Sequence, residues 1–228
     1  MLELEDVAAG YGNVCILRGV ALRVDAGEVV GLVGRNGVGK TTTLRTVMGL
    51  TRRMAGRIDF GGRPLDVSEP SRLASLGIGY VAQHQEICPD LTVEENLQVP
   101  LFAAHRSLSS IERVYRRFER LKERARQRAS SLSGGERKTL AFARVMLLEP
   151  RLYLIDEPTE GLMPSAVAEI GGLIEEMRES GAAVLLVEQD LGMIRKLCDR
   201  VYWMNVGRIE ACTTTFDSAT AERYLGVK

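Results

Sequence analysis

The chain has 228 residues, with 30 Lys and Arg against 30 Asp and Glu, and 45% of its residues are apolar. A chain of this length buries roughly 70% of its unfolded surface, so it needs no disulfide or metal staple. Balanced charge argues against wholesale binding to nucleic acid or anionic lipid, and a local basic patch stays open.

The residue inventory narrows the chemistry. Only two histidines occur, His84 and His105, which excludes a histidine-rich metal site and leaves little room for a Ser-His-Asp hydrolase. Cys15, Cys88, Cys198 and Cys212 are scattered without a paired spacing, so neither a zinc site nor a disulfide framework is indicated. A reducing cytoplasm fits that usage. The first residues lack a basic stretch followed by a long apolar run, so no secretory signal is expected. Apolar runs such as residues 182–187 are far below the roughly 20 residues that cross a bilayer. Any membrane role is therefore expected to go through a partner.

In chain order, the first 30 residues read as antiparallel strands leading into the core. Residues 29–33 read as a buried strand, 34–39 as a glycine-rich turn and 40–50 as a helix ending near Gly49. From 108 to 128 the pattern is helical and strongly basic, with Ser109 and Glu112 placed as a capping box. Residues 152–155 and 183–187 are continuous apolar runs, the mark of strands buried on both faces. Residues 201–204 and 208–211, joined by Asn205-Val206-Gly207, read as a late hairpin. The fold class is α/β with a mainly parallel sheet. It forms a single domain over 1–228, with a helical subdomain inserted at about 84–148. No internal repeat or flexible linker is evident.

Gly34-Arg35-Asn36-Gly37-Val38-Gly39-Lys40-Thr41 fits a phosphate-binding loop, and it lies after a buried strand and before a helix. Gly37 and Gly39 let successive N–H groups face inward onto phosphate oxygens, and the helix N-terminus adds partial positive charge. Lys40 is expected to reach the β- and γ-phosphates and Thr41 to ligate Mg²⁺. The apolar segment Leu152-Tyr153-Leu154-Ile155 ends in Asp156 and Glu157, placing two acids at the C-terminal edge of the sheet. Asp156 is the Mg²⁺-side acid on this reading, and Glu157 can orient or deprotonate the attacking water. Leu132-Ser133-Gly134-Gly135-Glu136 opens a helix and forms a second anion-binding terminus with no phosphate of its own, which suggests nucleotide held between two chains.

With these motifs in register, the chain resembles the ATP-binding-cassette ATPases over essentially its whole length. Residues 34–41 look like their Walker A loop, 132–136 like their signature motif and 152–157 like their Walker B strand with its catalytic acid. The resemblance implies ATP and Mg²⁺ as cofactors, Thr42 beside Thr41 in the nucleotide site, and Tyr11 against adenine. It also implies Gln83 as the Q-loop glutamine that touches metal and water and senses a membrane partner. Two such subunits pair head to tail, so that Ser133, Gly134 and Gly135 of one clamp the nucleotide on Lys40 of the other.

The chain departs from the family pattern where a γ-phosphate histidine usually follows the strand at 183–187, for it reads Glu188-Gln189-Asp190. Gln189 donates an amide hydrogen bond but carries no charge, so catalytic help from that position is expected to be weaker. The usual D-loop aspartate is also missing from Glu160-Gly161-Leu162-Met163-Pro164. Both departures, and the run from Glu86 to Leu97, resemble the second ATPase of importers for branched-chain amino acids and the similar urea and short-chain amide importers. The expected partners are integral membrane permease subunits, a second ATPase subunit in a heterodimer or homodimer and, indirectly, a solute-binding protein. The expected location is the cytoplasmic face of the membrane. A soluble cassette ATPase is the rival reading, and a small-molecule kinase has no use for the Ser133 motif. Val114, Phe118 and Leu121 recur at helical spacing among the basic residues 113–128, so a solvated amphipathic helix is expected there rather than a nucleic-acid surface.

Overall fold

The computed structural model describes residues 1–84, 87–214, 222 and 224; Glu86, the first residue of the branch-specific run, lies outside them. Two strands open the chain, β1 (Leu2–Tyr11) and β2 (Val14–Val24), then β3 (Val29–Val33) and helix α1 (Lys40–Val47). After these come β4 (Arg52–Phe60), β5 (Arg63–Pro64) and β6 (Ile78–Val81). Four helices follow: α2 (Val93–Ala103), α3 (Ile111–Arg117), α4 (Glu119–Glu123) and α5 (Gly134–Met146). The remainder is β7 (Leu152–Asp156), α6 (Pro164–Glu179), β8 (Ala183–Val187), α7 (Leu191–Leu197), β9 (Arg200–Asn205) and β10 (Arg208–Thr213).

The strands form two sheets. One is antiparallel, ordered β2-β1-β4-β5, and the other is ordered β10-β9-β3-β8-β7-β6, parallel except for the β9-β10 hairpin. The continuous apolar runs are explained by burial on both faces. Tyr153, Ile155, Val184 and Leu186 pack with the helices α2 to α7. Leu152, Leu154, Leu185 and Val187 join the opposite core, shared by α1 and the antiparallel sheet. Strand alternation therefore sends Asp156 to the same face as Leu154, beneath α1.

Helix α1 is shorter than the sequence suggests. It stops at Val47, where Gly49 takes φ 68°, and Leu50 N–H returns to the Arg45 carbonyl at 2.8 Å. The strand β4 carries no apolar run, since residues 52–57 are exposed, and its pairing with β1 and β5 makes it a strand.

The basic segment departs more from expectation. It is not one helix: α3 ends at Arg117, Phe118 leaves helical geometry at φ −122° and ψ 74°, and α4 restarts at Glu119. The break buries the Phe118 ring. The expected Ser109–Glu112 capping box is not formed, because a short 3₁₀ turn at Leu108–Ser110 precedes α3 and Ser107 caps that turn instead. Val114, Phe118 and Leu121 are all buried. Arg113, Arg117, Lys122 and Arg124 pair with Glu149, Glu176, Glu112 and Glu136.

Helices α2 to α5 all lie between β6 and β7, which are themselves adjacent and in parallel register. The loop that enters α2 is fixed by Asn96, a side chain with no solvent exposure. Its Oδ1 accepts from Cys88 N–H at 2.8 Å, and Nδ2 donates to the carbonyls of Cys88 and Thr92, both at 2.9 Å. Asn96→Ala strands the Cys88 N–H and removes one of the two donors that the Cys88 and Thr92 carbonyls each have, so it should cost about 2 kcal/mol and lower the thermal midpoint by about 4–8 °C. A calorimetric midpoint equal to that of the parent would contradict this account.

Candidate functional site

The phosphate loop joins β3 to α1 between the two sheets. Gly34 is packed so closely that an added Cβ would lie 2.3 Å from the Met204 carbonyl, and Gly39 takes φ 117°, a conformation closed to most other residues. The Val38 carbonyl accepts from Gly207 N–H at 2.8 Å, which ties the loop to the β9-β10 hairpin. Lys40 is 4% exposed, and its ammonium donates to the carbonyls of Gly34 at 2.9 Å and Arg35 at 3.2 Å. A buried cation needs such partners. Asn36 and Gly37 are exposed at the crest of the loop.

The acids at the end of β7 meet this loop. Thr41 Oγ1 donates to Asp156 Oδ1 at 3.0 Å, and Tyr80 donates its hydroxyl to Asp156 Oδ2 at 3.3 Å. Burial pushes the Asp156 carboxyl upward, while the bonds from Thr41 and Tyr80 oppose the shift. Glu157 sits 3.4 Å from the Lys40 ammonium. Its backbone is left-handed at φ 43°, a costly state for a residue with a Cβ, and Glu157 N–H is held by the Val187 carbonyl at 2.8 Å. Gln83 Nε2 donates to Glu157 Oε2 at 3.0 Å and to Glu160 Oε2 at 2.9 Å.

A cavity of about 340 Å³ collects most of the residues expected in the nucleotide site from the phosphate loop, though Gly34, Arg35 and Val38 do not line it. Asn36, Gly37, Gly39, Lys40, Thr41 and Thr42 line its floor, and Tyr11, Gln83 and Glu157 line its sides. Tyr11 is 43% exposed, with its hydroxyl 3.4 Å from the Arg45 guanidinium. Ser133, Gly134 and Gly135 are not among these residues. They open instead onto a separate groove of about 640 Å³ bounded by α4 and the start of α6. Ser133 caps α5 through a reciprocal box with Glu136: Ser133 Oγ accepts from Glu136 N–H at 3.3 Å, and Glu136 Oε2 accepts from Ser133 N–H at 2.9 Å. The bond from the Ser133 backbone, with Arg124 beside it, holds the Glu136 carboxyl below its ordinary range.

Gln189 also stands outside the cavity lining, exposed just past the end of β8. Its neighbour Glu188 is 3% exposed and was not singled out by the sequence. That carboxylate accepts from the Thr159 hydroxyl at 2.9 Å and from the backbone of Gln189 at 2.8 Å and Asp190 at 3.2 Å. It fastens the segment after Glu157 to the segment after β8. Tyr80 and Glu160 were likewise missed as site residues. The placement of Tyr80 depends on β6 pairing with β7, and a single sequence does not show which strands are neighbours.

The donor set can be tested against a metal. Among the described residues no group of three or more His, Cys, Asp or Glu could hold an ion alone. Thr41 and Asp156 instead offer two hard oxygen atoms, the chemistry that suits Mg²⁺ when most of its remaining ligands come from phosphate and water. No helix among the described residues is long and apolar enough to cross a membrane.

Comparison with known proteins agrees with the fold and the loop. The family model described as ABC transporter matches residues 17–160. The chain is 38% identical over 211 residues to the high-affinity branched-chain amino acid transport ATP-binding protein BraG of Pseudomonas aeruginosa, covering 92% of this chain and 91% of the relative. It is 34% identical to the lipopolysaccharide export ATP-binding protein LptB of Haemophilus influenzae, covering 99% and 97%. A dimeric ATP-binding cassette bound to ADP and phosphate in a post-hydrolysis state superposes with TM-score 0.84 at 25% identity, covering 95% of this chain and all of that one. A parallel sheet that brings its phosphate loop against two acids, matched by that family over more than half its length, makes this chain a member of the ABC transporter family, an ATP-binding subunit that hydrolyses ATP.

Proposed function

We propose that the chain drives import of branched-chain amino acids, working as a peripheral subunit on the cytoplasmic face of the membrane. The observation that carries the catalytic reading is the convergence of Lys40 and Gln83 on one carboxylate, Glu157, at the mouth of the phosphate loop. The overall likeness to BraG, together with glutamine at 189, supports the solute class.

Each side chain then has a task. The inward-facing amides of residues 34–39 and the Lys40 ammonium bind the phosphates. Tyr11 lies against adenine. Glu157 takes the proton of the attacking water, and Gln83 holds the carboxylate in the orientation that makes this possible. Thr41, Asp156 and Gln83 would hold Mg²⁺, and that ion would offset charge on the phosphate oxygens. Lys40, itself buried, completes the electrostatic side of the site.

The groove at Ser133 to Gly135 is separate from the cavity of its own chain, which suits a role in completing the nucleotide site of a second subunit. ABC ATP-binding subunits dimerise and work with membrane permeases. We assign the partner here as a different ATPase that keeps its histidine, because Gln189 brings a neutral amide where a charged ring usually assists. The permease subunits dock near Gln83 to Leu97, beside the loop that Asn96 fixes, and a separate binding protein delivers the solute.

Glu157→Gln should retain ATP affinity while lowering turnover at least about 100-fold, and it should elute as an ATP-dependent dimer in size-exclusion chromatography. Turnover near that of the parent removes Glu157 as the base. The purified chain alone should hydrolyse ATP slowly, and adding its partner ATPase should raise the rate. Fast hydrolysis by the chain alone, unchanged in Gln189→Ala, refutes the heterodimer. The solute is tested by leucine uptake into vesicles carrying the reconstituted transporter. Uptake that requires this chain and ATP supports the proposal, and lipid release in place of uptake favours the export reading that the likeness to LptB suggests.

A further inference from the structure

Asp156 receives a bond on each carboxylate oxygen, and only the bond from Thr41 belongs to the phosphate-loop motif. The other comes from Tyr80 on β6. Register explains the meeting. Tyr80 lies opposite Leu154 in the parallel β6-β7 pair, so its side chain and that of Asp156, two residues beyond Leu154, share the face covered by α1. On α1, Thr41 and Arg45 are one turn apart and therefore on one side of the helix. The Arg45 guanidinium donates to the Tyr11 hydroxyl at 3.4 Å and lies near that of Tyr80.

The chemistry of these groups fixes a direction. The neighbouring guanidinium has donors only and cannot take the Tyr80 proton. A phenol has one proton, and the facing carboxylate accepts it, so the bond runs from Tyr80 to Asp156 Oδ2. Asp156 is fully buried, where a carboxylate oxygen without a donor is costly. Rotation of the carboxylate would exchange the two oxygens or break one bond, and the paired donors on α1 and β6 oppose both.

Resting on the reading of Asp156 and Thr41 as the Mg²⁺ side of the site, we propose that Tyr80 is a positioning residue that holds the Asp156 carboxylate in its metal-binding orientation. The same strand carries Gln83 just beyond its end, and Gln83 grips Glu157. One edge of β6 therefore holds both acids of β7. A displacement of this edge by a docked permease reaches the metal-side acid through Tyr80 and the neighbouring acid through Gln83.

The test uses the full chain and Mn²⁺ as the probe. Binding of Mn²⁺ to the ATP-loaded protein is followed by electron paramagnetic resonance, alongside ATP affinity in EDTA and the Mg²⁺ dependence of turnover. Tyr80→Phe removes one hydroxyl and keeps the ring. It should weaken Mn²⁺ binding and raise the half-saturating Mg²⁺ about fivefold, with metal-free ATP affinity within about twofold of the parent. Equal loss of metal-free ATP binding in Tyr80→Phe, or unchanged Mn²⁺ affinity, overturns the proposal. Asp156→Asn separates the two levels of the argument. If it weakens Mn²⁺ binding while Tyr80→Phe does not, the positioning role alone fails; if Asp156→Asn leaves Mn²⁺ binding unchanged, the metal-side assignment fails with it.

Discussion

A carboxylate with no solvent exposure, Asp156, is the constraint around which the site is arranged. An unpartnered carboxylate in that position is strongly disfavoured, so the fold has to bring donors to it from two directions. The helix after the phosphate loop supplies Thr41, and the neighbouring strand supplies Tyr80. These requirements fix the distance between the loop and β7 and keep β6 beside β7. The glycines at 34 and 39 then follow from close approach to Met204 and from a left-handed backbone, and they need no separate functional argument.

Glu157, one residue on, faces a different balance. Its left-handed backbone carries a cost that the β7-β8 connection offsets through the Val187 carbonyl. Its side chain is held between a cation and an amide. The bond from Gln83 is shared with Glu160, so movement of either residue changes the surroundings of Glu157. A group gripped by a shared amide on one side and a buried lysine on the other is suited to being switched, because shifting one hydrogen bond alters its orientation without disturbing the core.

Much of this was legible in the sequence because the strands that carry it are buried on both faces. Residues 29–33 and 183–187 show as uninterrupted apolar runs with the bounds found in the structure, since flanking glycine and acidic residues end the pattern abruptly. The phosphate loop and the two acids were equally plain, because backbone curvature demands glycine and the sheet edge exposes polar ends. Strand β4 was invisible, as its exposed residues leave no pattern and pairing with β1 and β5 defines it. The basic segment misled for the converse reason. Its helical spacing is real in both α3 and α4, yet burial of the Phe118 ring outweighs continuity of the helix. Tyr80 and Glu188 were missed because their partners are 76 and 29 residues away.

The two anion-binding helix termini lead to the last step. The start of α1 and the start of α5 both combine glycines with a helix N-terminus, but they differ in what surrounds them. Lys40 and Thr41 at α1 are half-buried or buried among acids and carbonyls, whereas Ser133 and Gly134 at α5 are exposed. A terminus set deep beside a cation can hold phosphate by itself. One at the surface, whose capping acid Glu136 stays ionised next to it, has less net attraction for an anion and gains it only when that anion arrives already bound to charge elsewhere. That asymmetry favours nucleotide loading first at α1 and contact with α5 of a second subunit afterwards, so the order of events is set by burial.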